Sequence, residues 1–226
     1  MDRLLPRLEV GPADASAAVV WMHGLGADGH DFEPIVPMLG CPHVRFVFPH
    51  APSMPVTING GFVMPAWYDI LTLDSTEGRE NPDDVVVSSE RIVALMRHEV
   101  SRGVSPDRIV IAGFSQGAAM ALHVGTRHPE ALAGVLVLSG YHVRRDAFAA
   151  ERHEANRGTP MFFGHGRGDP LVRLEWGKAA RADIATWSTA ELQWHDYPMA
   201  HEVCPDEIAD VGAWLRDRLP AVDARG

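Results

Sequence analysis

The chain has 226 residues, 46% of them hydrophobic, which suits one α/β domain over residues 1–226 with a large buried core. A formal net charge of −10 disfavours nucleic acid or an anionic membrane surface as the main partner, because both are bound through basic patches. Two cysteines, Cys41 and Cys204, have no metal-ligand spacing and suggest no disulfide framework; Met1 to Pro6 carries no signal-peptide core and no run reaches membrane-spanning length, so the expected location is cytoplasmic with no membrane span.

In chain order, Ala17 to Met22 reads as a central strand that runs into His23-Gly24-Leu25-Gly26-Ala27-Asp28-Gly29-His30. Gly24, Gly26 and Gly29 spell G-x-G-x-x-G after a strand and before a possible helix, so a dinucleotide-binding enzyme has to be weighed. That fingerprint also wants an acidic residue at the end of the next strand, to bind the ribose. The next strand, Arg45 to Phe48, ends instead in Pro49-His50. The glycines read better as a loop that offers the Leu25 backbone N–H to an oxyanion, with His23 bracing it.

Residues 51–74 read as irregular, with Pro52, Pro55 and Pro65 and the turn signal Asn59-Gly60-Gly61. They also carry Phe62, Met64, Trp67, Tyr68, Ile70, Leu71 and Leu73. A long loop this apolar either folds over the core or lines a substrate pocket, and the sequence leaves both open. Asn81-Pro82-Asp83-Asp84 has an N-cap, a proline at the first helical position and acids in the first turn, predicting a helix to Arg102 that stops at Gly103.

The stretch around which the chain is organised follows. Ile109 to Ala112 reads as a buried parallel strand, and a helical pattern runs from Gly117 to about Thr126. Between them lies Gly113-Phe114-Ser115-Gln116-Gly117. A G-x-S-x-G pentapeptide between strand and helix is a nucleophile elbow, which holds the serine on a tight turn above a helix N-terminus.

Further strands are expected at Gly134 to Leu138, Pro160 to Phe163 and Glu191 to Tyr197, with helices from Arg173 to about Thr186 and from Pro205 to Pro220. Alternating strands and helices predict a mostly parallel sheet covered on both faces. A serine hydroxyl needs a base, and functional groups in such sheets gather at the carboxyl ends of strands. That filter selects Asp169 and His201 from the acids and the 12 histidines, in the order Ser115, Asp169, His201 found in triads built on such elbows. His195 and Asp196 lie within a strand on opposite faces, and His165 precedes Asp169 as a structural residue. No H-x-x-x-H or H-E-x-x-H spacing supports a metal site.

His23 to His30, Pro49-His50-Ala51-Pro52, Val56 to Asn59, Met64 to Ile70, Gly113 to Gly117, His165 to Val172 and His201 together resemble the acyl-protein thioesterase and bacterial carboxylesterase (phospholipase/carboxylesterase) family of the α/β-hydrolase fold. The resemblance runs in register over nearly the whole chain. It departs at Ala118, where many relatives carry a second glycine, a small-for-small change. It implies Ser115 as nucleophile, His201 as base, Asp169 as orienting carboxylate and an oxyanion hole from the Leu25 and Gln116 N–H groups. It also favours an acyl pocket at Phe62, Met64, Trp67, Leu71 and Leu73. No cofactor, no metal and no lid domain are implied. The expected substrates are short- to medium-chain acyl esters or thioesters, with S-acyl proteins and lysophospholipids open. A non-catalytic binding protein and a homodimer also stay open.

Overall fold

The computed structural model describes residues 4–73 and 78–222. Its strands are β1 (Arg7–Val10), β2 (Ala17–Met22), β3 (Val44–Pro49), β4 (Ser53–Val56), β5 (Phe62–Pro65), β6 (Ile109–Phe114), β7 (Gly134–Leu138), β8 (Met161–Gly166) and β9 (Leu192–Tyr197). Its helices are α1 (Val36–Leu39), α2 (Pro82–Ser101), α3 (Gln116–Arg127), α4 (Phe148–Glu151), α5 (Leu174–Ala185) and α6 (Pro205–Arg218). Seven strands form one sheet in the order β1-β3-β2-β6-β7-β8-β9. β1 pairs antiparallel to β3, and every other neighbour in this sheet is parallel.

The central strands β2, β6 and β7 are apolar on both faces because both faces are covered. Along β2, Ala18, Val20 and Met22 point into a core shared with Ile92, Leu95, Leu122 and Ile184, from α2, α3 and α5. The alternate residues Ala17, Val19 and Trp21 point into a second core with Leu39, Val211 and Leu215, from α1 and α6. The period of two along the strand thus supplies both layers.

The long helices start and stop as the sequence predicts, within a residue or two. The Asn81 side chain accepts the Asp83 N–H at 3.0 Å, and Pro82 occupies the first turn of α2. The glycine loop, by contrast, leads only into a 3-10 turn, Glu33–Ile35, and the single turn of α1. β1 is an edge strand that no sequence signal had marked.

Residues 51–74 are not irregular throughout. β4 and β5 pair antiparallel, with Val56 opposite Phe62, around a 3-10 turn at Thr57–Asn59. Gly60 and Gly61 close the turn at φ of 66° and 78°, which a side chain tolerates poorly. Pro55 and Pro65 fit because a two-stranded ribbon leaves half of its N–H groups unpaired. Asp74 lies outside the described residues.

Candidate active site

Ser115 stands between the end of β6 and the first turn of α3 with φ 55° and ψ −118°, an unfavourable region for a residue with a Cβ. The packing around it enforces this. A Cβ on Gly113 would overlap the Gly117 carbonyl, and one on Gly117 would overlap the Met22 carbonyl at the end of β2. Only glycines let β6 turn this sharply and let α3 approach β2 so closely. The Ser115 N–H donates to the Leu138 carbonyl at 2.8 Å, which ties the elbow to β7.

His201 follows β9 and Asp169 follows β8, so the parallel sheet delivers both to the edge where Ser115 stands. His201 Nδ1 lies 2.6 Å from Asp169 Oδ2, and His201 Nε2 lies 2.9 Å from Ser115 Oγ. The Asp169 side chain is fully shielded from solvent. Burial raises its carboxyl pKa, but the His201 hydrogen bond and the Val172 and Leu171 N–H groups at 2.8 and 2.9 Å outweigh burial and hold it below the usual value. An ionised carboxylate only accepts hydrogen bonds, so Nδ1 of His201 carries the imidazole proton and Nε2 is left to accept from the Ser115 hydroxyl. The Phe114 ring packs on His201 at 4.8 Å between centroids.

His165 is buried beside this set and holds the acid's loop. Its Nε2 donates to the Val172 carbonyl at 2.8 Å, its ring stacks on Trp194, and it lies 3.7 Å from Asp169 Oδ2. His195 stacks instead on Phe162 on the other face of β9, and Asp196 accepts from Trp194 Nε1. Neither reaches Ser115.

Leu25 and Gln116 both line the cavity in front of Ser115. Among the described residues, neither backbone N–H is assigned to a backbone or side-chain acceptor. His23 fixes the glycine loop from beneath. The Ala51 N–H donates to its Nε2 at 3.1 Å, so its proton is on Nδ1, which donates to the Gly24 carbonyl at 2.7 Å. Burial lowers the His23 pKa and keeps this neutral form. Gly24 lies where the loop touches the elbow: a Cβ there would sit in ordinary van der Waals contact with Phe114 and Ser115, at 3.4 Å.

The cavity measures about 310 Å³. Its apolar wall comes from Leu25, Ile58, Ile70, Leu73, Leu171 and Val172, and its polar wall includes Arg79 and Tyr141. Of the five pocket residues expected from sequence, Leu73 alone lines it. Trp67 is completely buried in the core, where its Nε1 donates to the His23 carbonyl at 2.9 Å. Phe62, on β5 of the two-stranded ribbon, and Leu71, beyond it, are exposed and lie outside the lining. Met64 is half-buried and packs toward Gly26. Leu171 and Val172 were missed although they lie two and three residues after Asp169. Ile70 was in the apolar stretch already noted, but nothing in sequence told its direction from that of Leu71.

The dinucleotide alternative fails on geometry. No long helix follows the glycine loop to present its N-terminus to a pyrophosphate, and the Gly29 N–H is taken by His50 Nδ1 at 3.1 Å. Among the described residues, one group brings three possible metal ligands together: Glu9, His98 and Glu99. Arg7, Arg45 and Arg102 already pair with its two carboxylates, so the group is neutralised without a cation.

A doubly covered parallel sheet with a joined Ser-His-Asp set at its carboxyl edge defines a serine hydrolase of the α/β-hydrolase fold. Comparison with known proteins agrees. The phospholipase/carboxylesterase family model matches residues 6–218. Acyl-protein thioesterase 1 of Yarrowia lipolytica is 35% identical over 216 residues, covering 92% of this chain and 95% of its own length. Acyl-protein thioesterase 1 of Neurospora crassa is 37% identical over 233 residues, covering 98% and 95%. The crystal structure of Zea mays acyl-protein thioesterase 2 superposes with a TM-score of 0.83 at 25% identity, covering 95% of this chain and 99% of the maize chain. The chain belongs to the phospholipase/carboxylesterase family, and it is a hydrolase acting on esters or thioesters.

Proposed function

We propose that residues 1–226 act as one catalytic domain that transfers acyl groups to water through an acyl-enzyme on Ser115. The observation that carries this is the continuous contact from Asp169 Oδ2 to His201 Nδ1 at 2.6 Å and from His201 Nε2 to Ser115 Oγ at 2.9 Å. As Ser115 Oγ attacks the substrate carbonyl, its proton passes to His201 Nε2, and Asp169 stabilises the imidazolium. Negative charge builds on the carbonyl oxygen, where the Leu25 and Gln116 N–H groups and the N-terminus of α3 receive it. His201 then gives its proton to the departing alcohol or thiol. Water, deprotonated by the same nitrogen, attacks the acyl-enzyme and releases the acid.

The apolar wall favours short- to medium-chain acyl groups. The names of the relatives point toward S-acylated proteins as one natural substrate, with small esters and lysophospholipids as the other classes. A cytoplasmic site of action fits the two free cysteines and the fact that, among the described residues, no helix is long and apolar enough to cross a membrane. Initial rates on matched oxygen esters and thioesters of graded chain length test the reading. It expects turnover of both, rising with length and then levelling. Turnover of neither class would refute it.

A further inference from the structure

Arg79 is an unexpected group in an apolar cavity. It lines the same cavity as Ser115, yet only 3% of its surface is exposed. Among the described residues, neither Nε nor Nη1 has a hydrogen-bond partner. Its guanidinium carbon lies 4.8 Å from the Tyr141 ring centroid and 4.7 Å from that of Trp176. Ring contacts of this kind stabilise the cation through its faces. They do nothing for the N–H donors, which lie in the guanidinium plane and need acceptors at its edge.

The neighbouring acid does not fill that edge. Glu80 Oε1 accepts the Arg144 N–H at 2.6 Å, and its other carboxylate oxygen is itself unpartnered. Burial raises the Glu80 pKa, which further weakens it as a counter-charge. Tyr68 and Tyr141 pair their hydroxyls at 2.7 Å, and the Tyr141 hydroxyl also takes a hydrogen bond from Arg79, which leaves Nε and Nη1 as the open donors. A buried cation with open in-plane donors is matched in shape and charge by a carboxylate.

The chemistry of the reaction says which part of the substrate could reach it. His201 Nε2 must protonate the leaving group, so that group lies on the His201 side of Ser115. A second hollow, lined by Asp31, Phe32, Ile35, His201, Glu202 and Val203, opens there. The acyl chain then extends the other way, along Ile70 and Leu73 toward Arg79 and Tyr141. Resting on Ser115 as the nucleophile, we propose that Arg79 receives the far carboxylate of the acyl chain, which makes the protein selective for half-esters and half-thioesters of dicarboxylic acids. The apolar wall then holds the methylenes between the two ends.

The test uses N-acetylcysteamine thioesters of glutaric, adipic and suberic acids, each as the free acid and as the methyl ester of its far end. The two forms share a chain and differ in the charge. At the best length, wild-type kcat/KM should favour the free acid by about tenfold to a hundredfold, the range of one charged hydrogen-bonded pair. Arg79→Met should abolish or invert the ratio. Arg79→Lys, which keeps the charge and loses the planar fork, should lower it only partly, and it stands in if the methionine variant does not fold. A wild-type ratio of one or below, or a ratio unchanged in Arg79→Met, would overturn the proposal. Calorimetric binding of glutarate, adipate and suberate to Ser115→Ala separates this inference from the hydrolytic reading. If no thioester is turned over, diacid binding that Arg79→Met removes still supports the carboxylate site. Absence of binding with all three would then refute it.

Discussion

The Gln116 side chain grips the backbone of Trp67 from the first turn of α3, its Oε1 accepting the Trp67 N–H at 2.8 Å. Its Nε2 donates to the Tyr68 carbonyl at 2.7 Å, and the Trp67 indole donates to the His23 carbonyl at 2.9 Å. Three segments distant in sequence, the glycine loop, residues 66–68 and the elbow, are thereby fixed to one another. The two backbone N–H groups proposed to meet the oxyanion come from two of these segments.

Gln116→Ala should therefore damage both stability and catalysis. It leaves two buried backbone groups without partners, at about 1–3 kcal/mol each, so urea denaturation should show a loss of about 2–6 kcal/mol. The backbone N–H of residue 116 survives the change. The accompanying fall in kcat would therefore report the lost rigidity of residues 23–26 and 66–68. A variant of wild-type stability would show that the clamp contributes nothing.

Asp169→Asn should lower kcat by on the order of 10²–10⁴, because an amide can present its N–H to Nδ1 and so favour the wrong imidazole tautomer. His195→Ala should leave turnover within a few-fold of wild type, since that ring stacks on Phe162 away from Ser115. Steady-state kinetics of the two variants side by side decide the assignment, and the reverse pattern would reassign the base.

Glu207 makes the protein's stability depend on pH. Both carboxyl oxygens are buried without partners among the described residues, and burial, helped by Asp210, pushes its pKa up to about 8. The folded state thus keeps a proton that the unfolded chain releases near the ordinary value of about 4.3. Between those two pH values the folded state binds more protons, so this group's contribution to stability falls as pH rises from about 4.3 to 8. Glu207→Gln should remove that slope. Relative to wild type it should gain on the order of 4 kcal/mol between pH 4 and pH 8, read from urea curves at both. Parallel wild-type and variant profiles would mean that Glu207 is ionised in the fold.

Leu71 and Leu73 separate the cavity from the surface beside it. Each methylene of substrate buried against the apolar wall gains up to about 0.8 kcal/mol, nearly fourfold in kcat/KM. Leu73→Asp should flatten the rise of kcat/KM with chain length while acetate esters lose little, because a charge beside the chain must be desolvated. Leu71→Asp should leave the profile unchanged, since Leu71 is exposed and off the lining. Equal flattening by both would extend the acyl path over Leu71.

These contrasts also mark how far the sequence could be read. The central parallel strands were legible because both faces are buried and the runs are continuously apolar, as in Ile109 to Ala112. Ser115, Asp169 and His201 were legible because each follows a strand directly or within a few residues, so the sheet brings them to one edge. The direction of side chains between β4 and α2 was not legible. There, Phe62 is left exposed on the ribbon while Trp67 is buried under the Gln116 clamp, and both the ribbon pairing and the clamp are contacts with no local signature. β1 was missed for a related reason: an edge strand of four half-buried or exposed residues has neither the length nor the apolar density of a central one.

The acyl-enzyme on Ser115 is the centre of this account, and active-site labelling tests it most directly. After reaction with a fluorophosphonate, intact-protein and peptide mass spectrometry should find one adduct, on the peptide containing Ser115. The Ser115→Ala variant should take up no label and lose ester turnover by on the order of 10⁴ or more. An adduct on another residue, or a Ser115→Ala protein that hydrolyses a p-nitrophenyl ester at near wild-type rate, would contradict it.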